Sequence, residues 1–413
     1  MFTSFNTALS ALSADSTAID VVGNNLANLN TTGYKDVTVS FHDLVTQSLG
    51  AGLGTTQVGF GVGTPVTLRQ FVQGAIQSTG GSLDAAIQGD GFFILQAANG
   101  NQEYTRGGSF VVNTQGDLTM ATGENLLGWN VTNGAIDTNL PIGNIVVPVG
   151  SLNPPVATTT TSVDLNLDAS AAVGSSDGTF STSVQVFDSL GVSHLVGFTF
   201  TKTGANTWDY SLSFPAADTT SPFAPVTGTL TFDTSGNLIT PAVTDTPPVM
   251  NITGLSDGAA DMNVTWNIFN GQTPRITQFA QTSASSALSQ NGSPAANLLR
   301  VGLADGGTIL AQYSDGSQVT VAQLAMATIR NPQSLVASGN STYQLGAQTA
   351  IPAIGLPGTG GRGTVLGGST EASNVDIAKE FTNLIVYQRG YQANSKVITT
   401  VDQISQDTIA LKQ

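Results

Sequence analysis

Long runs with a helical apolar period lie beside the two ends of this 413-residue chain, and neither stripe is backed by the charge of a helix facing bulk water. At the first end Phe5, Leu9, Leu12, Ile19, Val22, Leu26 and Leu29 recur at steps of three, four and seven, which places them on one helical face. Asp15 and Asp20 are the only charged residues before Lys35. A helix whose polar face is Ser, Thr and Asn is built to be surrounded by other protein. An Asn-rich turn closed by Gly33 supplies the stop, since Gly best tolerates a left-handed backbone after a helix. Residues 4–28 would then span roughly 37 Å at about 1.5 Å per residue.

At the other end Ser373 and Asp376 have the spacing of a capping box, with the acid in the first turn. Ile377, Phe381, Leu384, Tyr391 and Ile398 follow near the heptad interval, and after a slip the stripe continues as Val397, Val401, Ile404 and Leu411. The spacing predicts about 38 helical residues, on the order of 57 Å. Neither helix has a core of its own, and isolated helices gain most of their stability from packing an apolar face. The economical reading is that the termini pair with each other and then with copies of themselves, making these two stripes a polymerisation interface. A helical hairpin capping one globular domain fits the periodicity equally well.

Sequence motifs separate the two readings. Asn28-Leu29-Asn30-Thr31-Thr32-Gly33-Tyr34-Lys35, Leu83-Asp84-Ala85-Ala86-Ile87-Gln88-Gly89-Asp90-Gly91-Phe92-Phe93 and Tyr104-Thr105-Arg106-Gly107-Gly108-Ser109-Phe110 come first. Glu371-Ala372-Ser373-Asn374-Val375-Asp376, with Tyr387-Gln388-Arg389-Gly390-Tyr391-Gln392-Ala393-Asn394 behind it, completes the set. In this order they resemble the signatures of the bacterial flagellar rod and hook protein family. Gly107 and Arg362 depart from the usual residues without touching a central feature. The resemblance marks Asn28, Thr31, Gly33, Tyr34, Lys35, Gly89, Asp90, Gly91, Phe92, Phe93, Asn374, Val375 and Asp376 as motif positions.

Rod members of that family have little between their conserved ends, whereas here a long middle lies between Gly128 and Ile309; the resemblance is therefore to the hook members. A filament-junction protein would be longer and would diverge around Gly89 to Phe93. The hook resemblance implies a structural protein without catalytic or cofactor chemistry, forming a tubular, bendable joint that links rod to filament and transmits torque. It implies as partners other copies of the chain, the rod protein at the base, the hook cap during assembly, the hook–filament junction protein at the tip and the flagellar type III export apparatus. It also implies an extracellular location on the flagellum, reached without a cleaved signal peptide.

Composition is compatible with this. The expected fold class is α+β: helical termini forming a coiled-coil-like inner core domain, plus two mainly β domains nested by insertion. Charged residues are only 9% of the chain and Gly numbers 47, which suits β surfaces and tight turns. Cysteine is absent, so no disulfide, thiolate metal site or Cys nucleophile exists here. Net charge is −15, and between Gly107 and Pro274 Lys202 is the only base against 13 acids. A phosphate-backbone binder needs a basic face, so nucleic acid and anionic membrane surfaces are excluded. No run reaches the apolar length of a membrane span, and the start, Met1-Phe2-Thr3-Ser4-Phe5, lacks a basic leader.

The expected order along the chain is concentric. Residues 1–33 and 369–413 form the helical polymerisation domain. Residues 34–74 and 355–368 form a Gly-rich connector containing Gly50, Gly52, Gly54, Gly59, Gly61 and Gly63. An inner β-domain takes 75–151 and 293–354, with strands at 91–96, 109–112, 126–129, 308–313 and 319–330. An outer β-domain takes 152–292, entered through a Pro- and Thr-rich stretch, with strands at 183–187, 194–201, 207–214, 229–232 and 263–268.

Catalytic readings fail on inventory. His42 and His194 are the only histidines, leaving a zinc site little to build with. Asp188-Ser189-Leu190-Gly191 before His194 reads as a hairpin turn rather than part of a triad. Gly59-Phe60-Gly61-Val62-Gly63 lacks the strand, helix and downstream acid of a dinucleotide fingerprint. Asp84 and Asp90 are a carboxylate pair with no other support, and Asp233-Thr234-Ser235-Gly236-Asn237 lacks the closing Glu of a calcium loop. A secreted β-rich glycan-binding or hydrolytic protein is the reading from another class, and it leaves the terminal stripes unexplained.

Overall fold

The two expected helices form at the termini: α1 is Phe2–Ala27 and α2 is Ile377–Ala410, about 39 and 51 Å long. The computed structural model describes residues 2–44, 46–49, 56–132 and 134–410. Leu411, Gly50, Gly52 and Gly54 lie outside them. The start of α2 corrects the capping-box expectation. Because the helix begins at Ile377, Asp376 is itself the cap, and its Oδ1 accepts from the amides of Ala378 (2.8 Å) and Lys379 (3.2 Å). Ser373 instead closes a small local turn, its hydroxyl accepting from the Val375 amide at 3.4 Å.

α1 and α2 pack together, and the most deeply buried positions of α1 are offset from the large apolar stripe, sharing Val22 with it. The buried positions on α1 are Ala8, Ala14, Ala18, Val22 and Asn25, spaced six, four, four and three apart. Small side chains there let the partner backbone approach closely. On α2 a Cβ at Gly390 would lie 3.0 Å from Asp15 Oδ2, and one turn on Asn394 Nδ2 donates to that same oxygen at 3.0 Å. The pairing is thus a small-residue seam pinned by polar contacts.

Two compact units make up the chain: Met1–Val149 with Arg300–Gln312 and Gln318–Gln413, and Gly150–Leu299 with Tyr313–Ser317. In the first, Phe92–Gln96 is central, pairing antiparallel with Gln102–Thr105, Asn125–Thr132 and Met326–Thr328. Its residues are buried on both faces, as the strand's alternation dictates. Phe93 and Leu95 enter a cluster with Ile87, Phe110 and Leu126, while Phe92 and Ile94 enter another with Tyr104, Trp129 and Tyr343.

The Gly-rich connector is more ordered than its composition suggests. Val37–Ser40 pairs with Val66–Arg69, and Thr46–Leu49 with Thr56–Gly59. On the returning side Thr364–Gly367 pairs with Ala85–Gln88, and Ser369–Glu371 with Ile76–Ser78. Gly61, at φ 101°, explains one of the glycines: a Cβ there would meet Ser10 Oγ of α1, whose hydroxyl accepts from the Val62 amide at 3.2 Å.

The second unit holds two five-stranded sheets. One runs Thr179–Phe187, Ser193–Gly204, Thr207–Ser213, Val226–Phe232, Leu238–Thr240; the other joins Val249–Ile252, Met262–Trp266, Thr160–Asp168 and Ile276–Phe279, with Ala284–Gln290 also on Thr160–Asp168. Strict alternation along Ser193–Gly204 turns Val196, Phe198 and Phe200 inward. Trp266 closes on them from the other sheet, with ring centroids 5.4 Å from Phe198, 6.0 Å from Phe200 and 5.2 Å from Tyr210. Strands expected at 194–201, 207–214 and 263–268 are found here with slightly different ends. Trp266→Ala should cost this unit about 3–5 kcal/mol of stability through the cavity it leaves. Chemical denaturation followed by circular dichroism measures it, and a loss under about 1 kcal/mol would show that the ring is not central to the core.

Candidate polymerisation site

Where α1 ends and α2 begins, the family motifs meet around one buried carboxylate. Glu371 ends the strand before α2, and its side chain is wholly buried. Its Oε1 accepts from Lys35 Nζ at 2.5 Å and from the Gly74 amide at 2.7 Å; its Oε2 accepts from Arg106 Nη1 at 3.2 Å. Lys35 is also fully buried and donates to the Val72 carbonyl at 2.7 Å. Burial pushes its ammonium below the ordinary lysine range, against the pull of Glu371. Arg106 donates to the Gly89 carbonyl at 2.8 Å and lies over the Phe92 ring at 5.4 Å.

Asn25 does the corresponding work inside α1. Its Nδ2 donates to the Val37 carbonyl (2.8 Å) and Glu380 Oε2 (3.1 Å), while its Oδ1 accepts from the Val37 amide (3.0 Å) and the Tyr34 hydroxyl (3.1 Å). All four hydrogen-bonding positions of one amide are filled. Asn374 locks the other side: its Oδ1 accepts from the Asp36 amide at 2.6 Å and its Nδ2 donates to the Gln70 carbonyl at 2.9 Å. Gly33 fits at φ 69° with its amide on the Glu371 carbonyl at 2.8 Å, and a Cβ would come within 2.4 Å of the Gly107 amide nitrogen. No other residue type fits there.

The motif residues Lys35, Gly33, Tyr34, Gly89, Phe92 and Asn374 are thus gathered at this junction. Asn28 and Thr31 bond each other at 3.1 Å in the turn beyond α1, and Val375 is buried at the root of α2. Asp90 gives its carbonyl to the Gly363 amide, Gly91 turns at φ 134°, and Phe93 stacks edge-on with Phe110 at 5.3 Å. Glu371, Arg106, Asn25 and Glu380 carry the junction too. Glu371 and Arg106 lie within the family motifs, and Asn25 is a polar residue in register with Ala18 and Val22.

Of the apolar stripe on α1, Val22 is buried; Phe5, Leu12, Ile19, Leu26 and Leu29 are half-buried and Leu9 is exposed. On α2, Leu384, Ile398 and Val401 are half-buried, while Ile377, Phe381, Tyr391, Val397 and Ile404 are exposed, Phe381 by 52%. Ile385 and Val386 join them, and the heptad count did not select these two.

The candidate catalytic groups resolve into turns. Asp84 accepts from the Ser109 and Thr79 hydroxyls, Asp233 Oδ1 accepts from the amides of Ser235 and Asn237, and Asp188 to Gly191 turns between two strands as expected. Among the described residues no helix is long and apolar enough to cross a membrane.

Four family models match in chain order: Flagella basal body rod protein at 5–35, Flagellar hook protein FlgE/F/G D1 domain at 86–180, Flagellar basal body protein FlaE D2 domain at 157–293, and Flagellar basal body rod FlgEFG protein C-terminal at 366–411. The flagellar hook protein FlgE of Escherichia coli (strain K12) is 32% identical over 433 residues, spanning 99% of this chain and 100% of that protein. The chain belongs to the flagellar hook protein family. FlgE of Treponema pallidum (strain Nichols) is 31% identical with both chains fully covered. A crystal structure of Helicobacter pylori hook protein FlgE2 aligns at TM-score 0.52 and 13% identity over 70% of this chain and 99% of that one, a likeness of fold.

As a hook-family member the chain is a structural, self-assembling subunit of the flagellum, associated with the rod, and not an enzyme. The shorter rod protein and the glycan-binding reading are both disfavoured by full-length hook relatives. Glu371→Gln in this hook protein should cost about 3–5 kcal/mol, because it strands two buried cations. Urea unfolding of the monomer reads this, and a cost under about 1 kcal/mol would show that the junction is not a fixed point.

Proposed function

We propose that this hook subunit polymerises through the apolar flanks of α1 and α2 that the intrachain seam leaves uncovered. The observation that carries this reading is the set of large side chains Ile377, Phe381, Ile385, Val386 and Ile404, exposed on more than one side of a helix already paired with α1. A monomer with such a helix gains about 1.5–3 kcal/mol for each large side chain it buries against a neighbour. In this reading residues 1–33 and 369–413 are the assembly region. The polar, acidic surfaces of 75–151, 293–354 and 152–292 make wet contacts that exchange as the joint bends. The subunit forms a tubular universal joint outside the cell, between rod and filament. Its ends meet the rod protein and the hook–filament junction protein, the hook cap guides assembly, and the type III apparatus exports the chain. Family membership supports these partners.

Phe381→Ser with Ile385→Ser should leave the monomer's circular dichroism unchanged and abolish tubes under salting-out conditions that polymerise the parent. Electron microscopy decides, and tubes at the parental concentration would place the interface elsewhere. Joining Val149 directly to Arg300 should still give tubes, straighter than the parent's and poorer at supporting swimming. Loss of all tubes by a folded deletion protein would contradict this division of labour.

A further inference from the structure

At one end of the second unit's sheets, three loops converge on His194. Alternation along Ser193–Gly204 turns this residue inward, in line with Val196 and Phe198, and it is 6% exposed. Its Nδ1 lies 2.9 Å from Asp218 Oδ2, on the short turn Ala216–Asp218. Its Nε2 lies 3.1 Å from Asp188 Oδ2 and 3.9 Å from Asp257 Oδ2. The donor atoms of Asp188, His194 and Asp257 all fall within 4.8 Å of one another.

From this arrangement we infer that Asp188, His194 and Asp257 form a site for a divalent transition-metal ion of the zinc class. Donors at about 2.0–2.1 Å around a tetrahedral ion lie roughly 3.3 Å apart, and the separations of 3.1 and 3.9 Å bracket that figure. Asp218 completes the pattern. With Nδ1–H donated to that carboxylate, the imidazole presents its Nε2 lone pair to the other two acids, as a carboxylate-oriented metal histidine does. Asp188 is aimed as well: its Oδ1 accepts from the amides of Leu190 (2.8 Å) and Val192 (2.9 Å), leaving Oδ2 for the ion. Three protein ligands leave one position for water or a further donor. An imidazole with two carboxylates favours zinc-class ions over calcium, which takes oxygen ligands.

The ion would add a clamp to loops that already bond one another, the Asp218 and Asp257 loops through the Thr219–Leu255 bridge and the Thr220 amide on the Gly254 carbonyl at 2.8 Å. Ser256 N donates to the Asp218 carbonyl at 3.0 Å, and Ala260 N donates to Ser189 Oγ at 2.9 Å. The sequence hid this site because Asp257 is remote from His194 in the chain and only the turn partner Asp188 is near it.

Untagged full-length monomer, stripped with a chelator, would be titrated with Zn²⁺ by calorimetry and with Co²⁺ by visible absorption, with Ca²⁺ as comparison. One Zn²⁺ per chain, a Co²⁺ ligand-field band and no Ca²⁺ heat are expected. Asp257→Asn should weaken Zn²⁺ binding at least ten-fold and remove the band with the fold intact, since this acid sits at the rim with its side chain 25% exposed. His194→Gln should abolish binding; if that variant unfolds, Asp257→Asn decides. If a protonated imidazole merely closes the acid cluster, the parent will bind neither ion. That result, or binding unchanged in Asp257→Asn, overturns the proposal.

Discussion

Both ends of the hook subunit are tied to its β-structure through one buried carboxylate. Glu371 gives one oxygen to Lys35 and the Gly74 amide and the other to Arg106. Lys35 follows α1 by eight residues, Glu371 precedes α2 by six, and Arg106 belongs to the central β-region. Burying three charges is expensive, and such a cluster persists only with extensive hydrogen bonding and good geometry, here with Arg106 Nε the buried nitrogen left without a partner. Breaking it is more costly than never having built it. That asymmetry gives a polymer subunit a fixed point: the helix roots cannot shift gradually, because intermediate positions leave charges unpaired in a dry interior.

Around that point the helices divide their surfaces by size of side chain. Ala8, Ala14 and Ala18 are buried on α1, and Gly390 of α2 lies against Asp15, where small volume brings the helices close. Larger side chains such as Leu9, Phe381 and Ile385 stay exposed. Had the large residues formed the hairpin, the monomer would have used up its most adhesive surface. Close-packed contacts resist gradual deformation, whereas wet polar contacts exchange partners at little cost. A bending joint needs both kinds.

The helices and several long strands, Ser193–Gly204 among them, were legible because their periods are long and regular. The stripe from Ile377 to Ile398 and the alternation near His194 to Thr201 are each visible in one line of sequence. The cap at Asp376 was misread by one turn because Ser373 offers the same chemistry three residues earlier. The alanines that α1 buries most deeply do not stand out in the sequence for a physical reason: they pack well but carry little hydrophobic weight beside the stripe of Leu and Ile. Strands in the Gly-rich connector depend on partners far along the chain, such as Ser369–Glu371 on Ile76–Ser78, which local composition does not encode. The role of Glu371 rests on two cations, one of them 336 positions away, Lys35.

Native-state hydrogen exchange tests the central claim directly. The amides of Gly33, Asp36, Val37 and Gly74 all donate across the junction, and Glu380 N makes the first bond of α2. If the buried carboxylate welds both helix roots to the β-region, these five amides will exchange only by opening together, with one shared free energy near that of global unfolding. Rapid, independent exchange at the junction, while the strand Phe92–Gln96 stays protected, would contradict it.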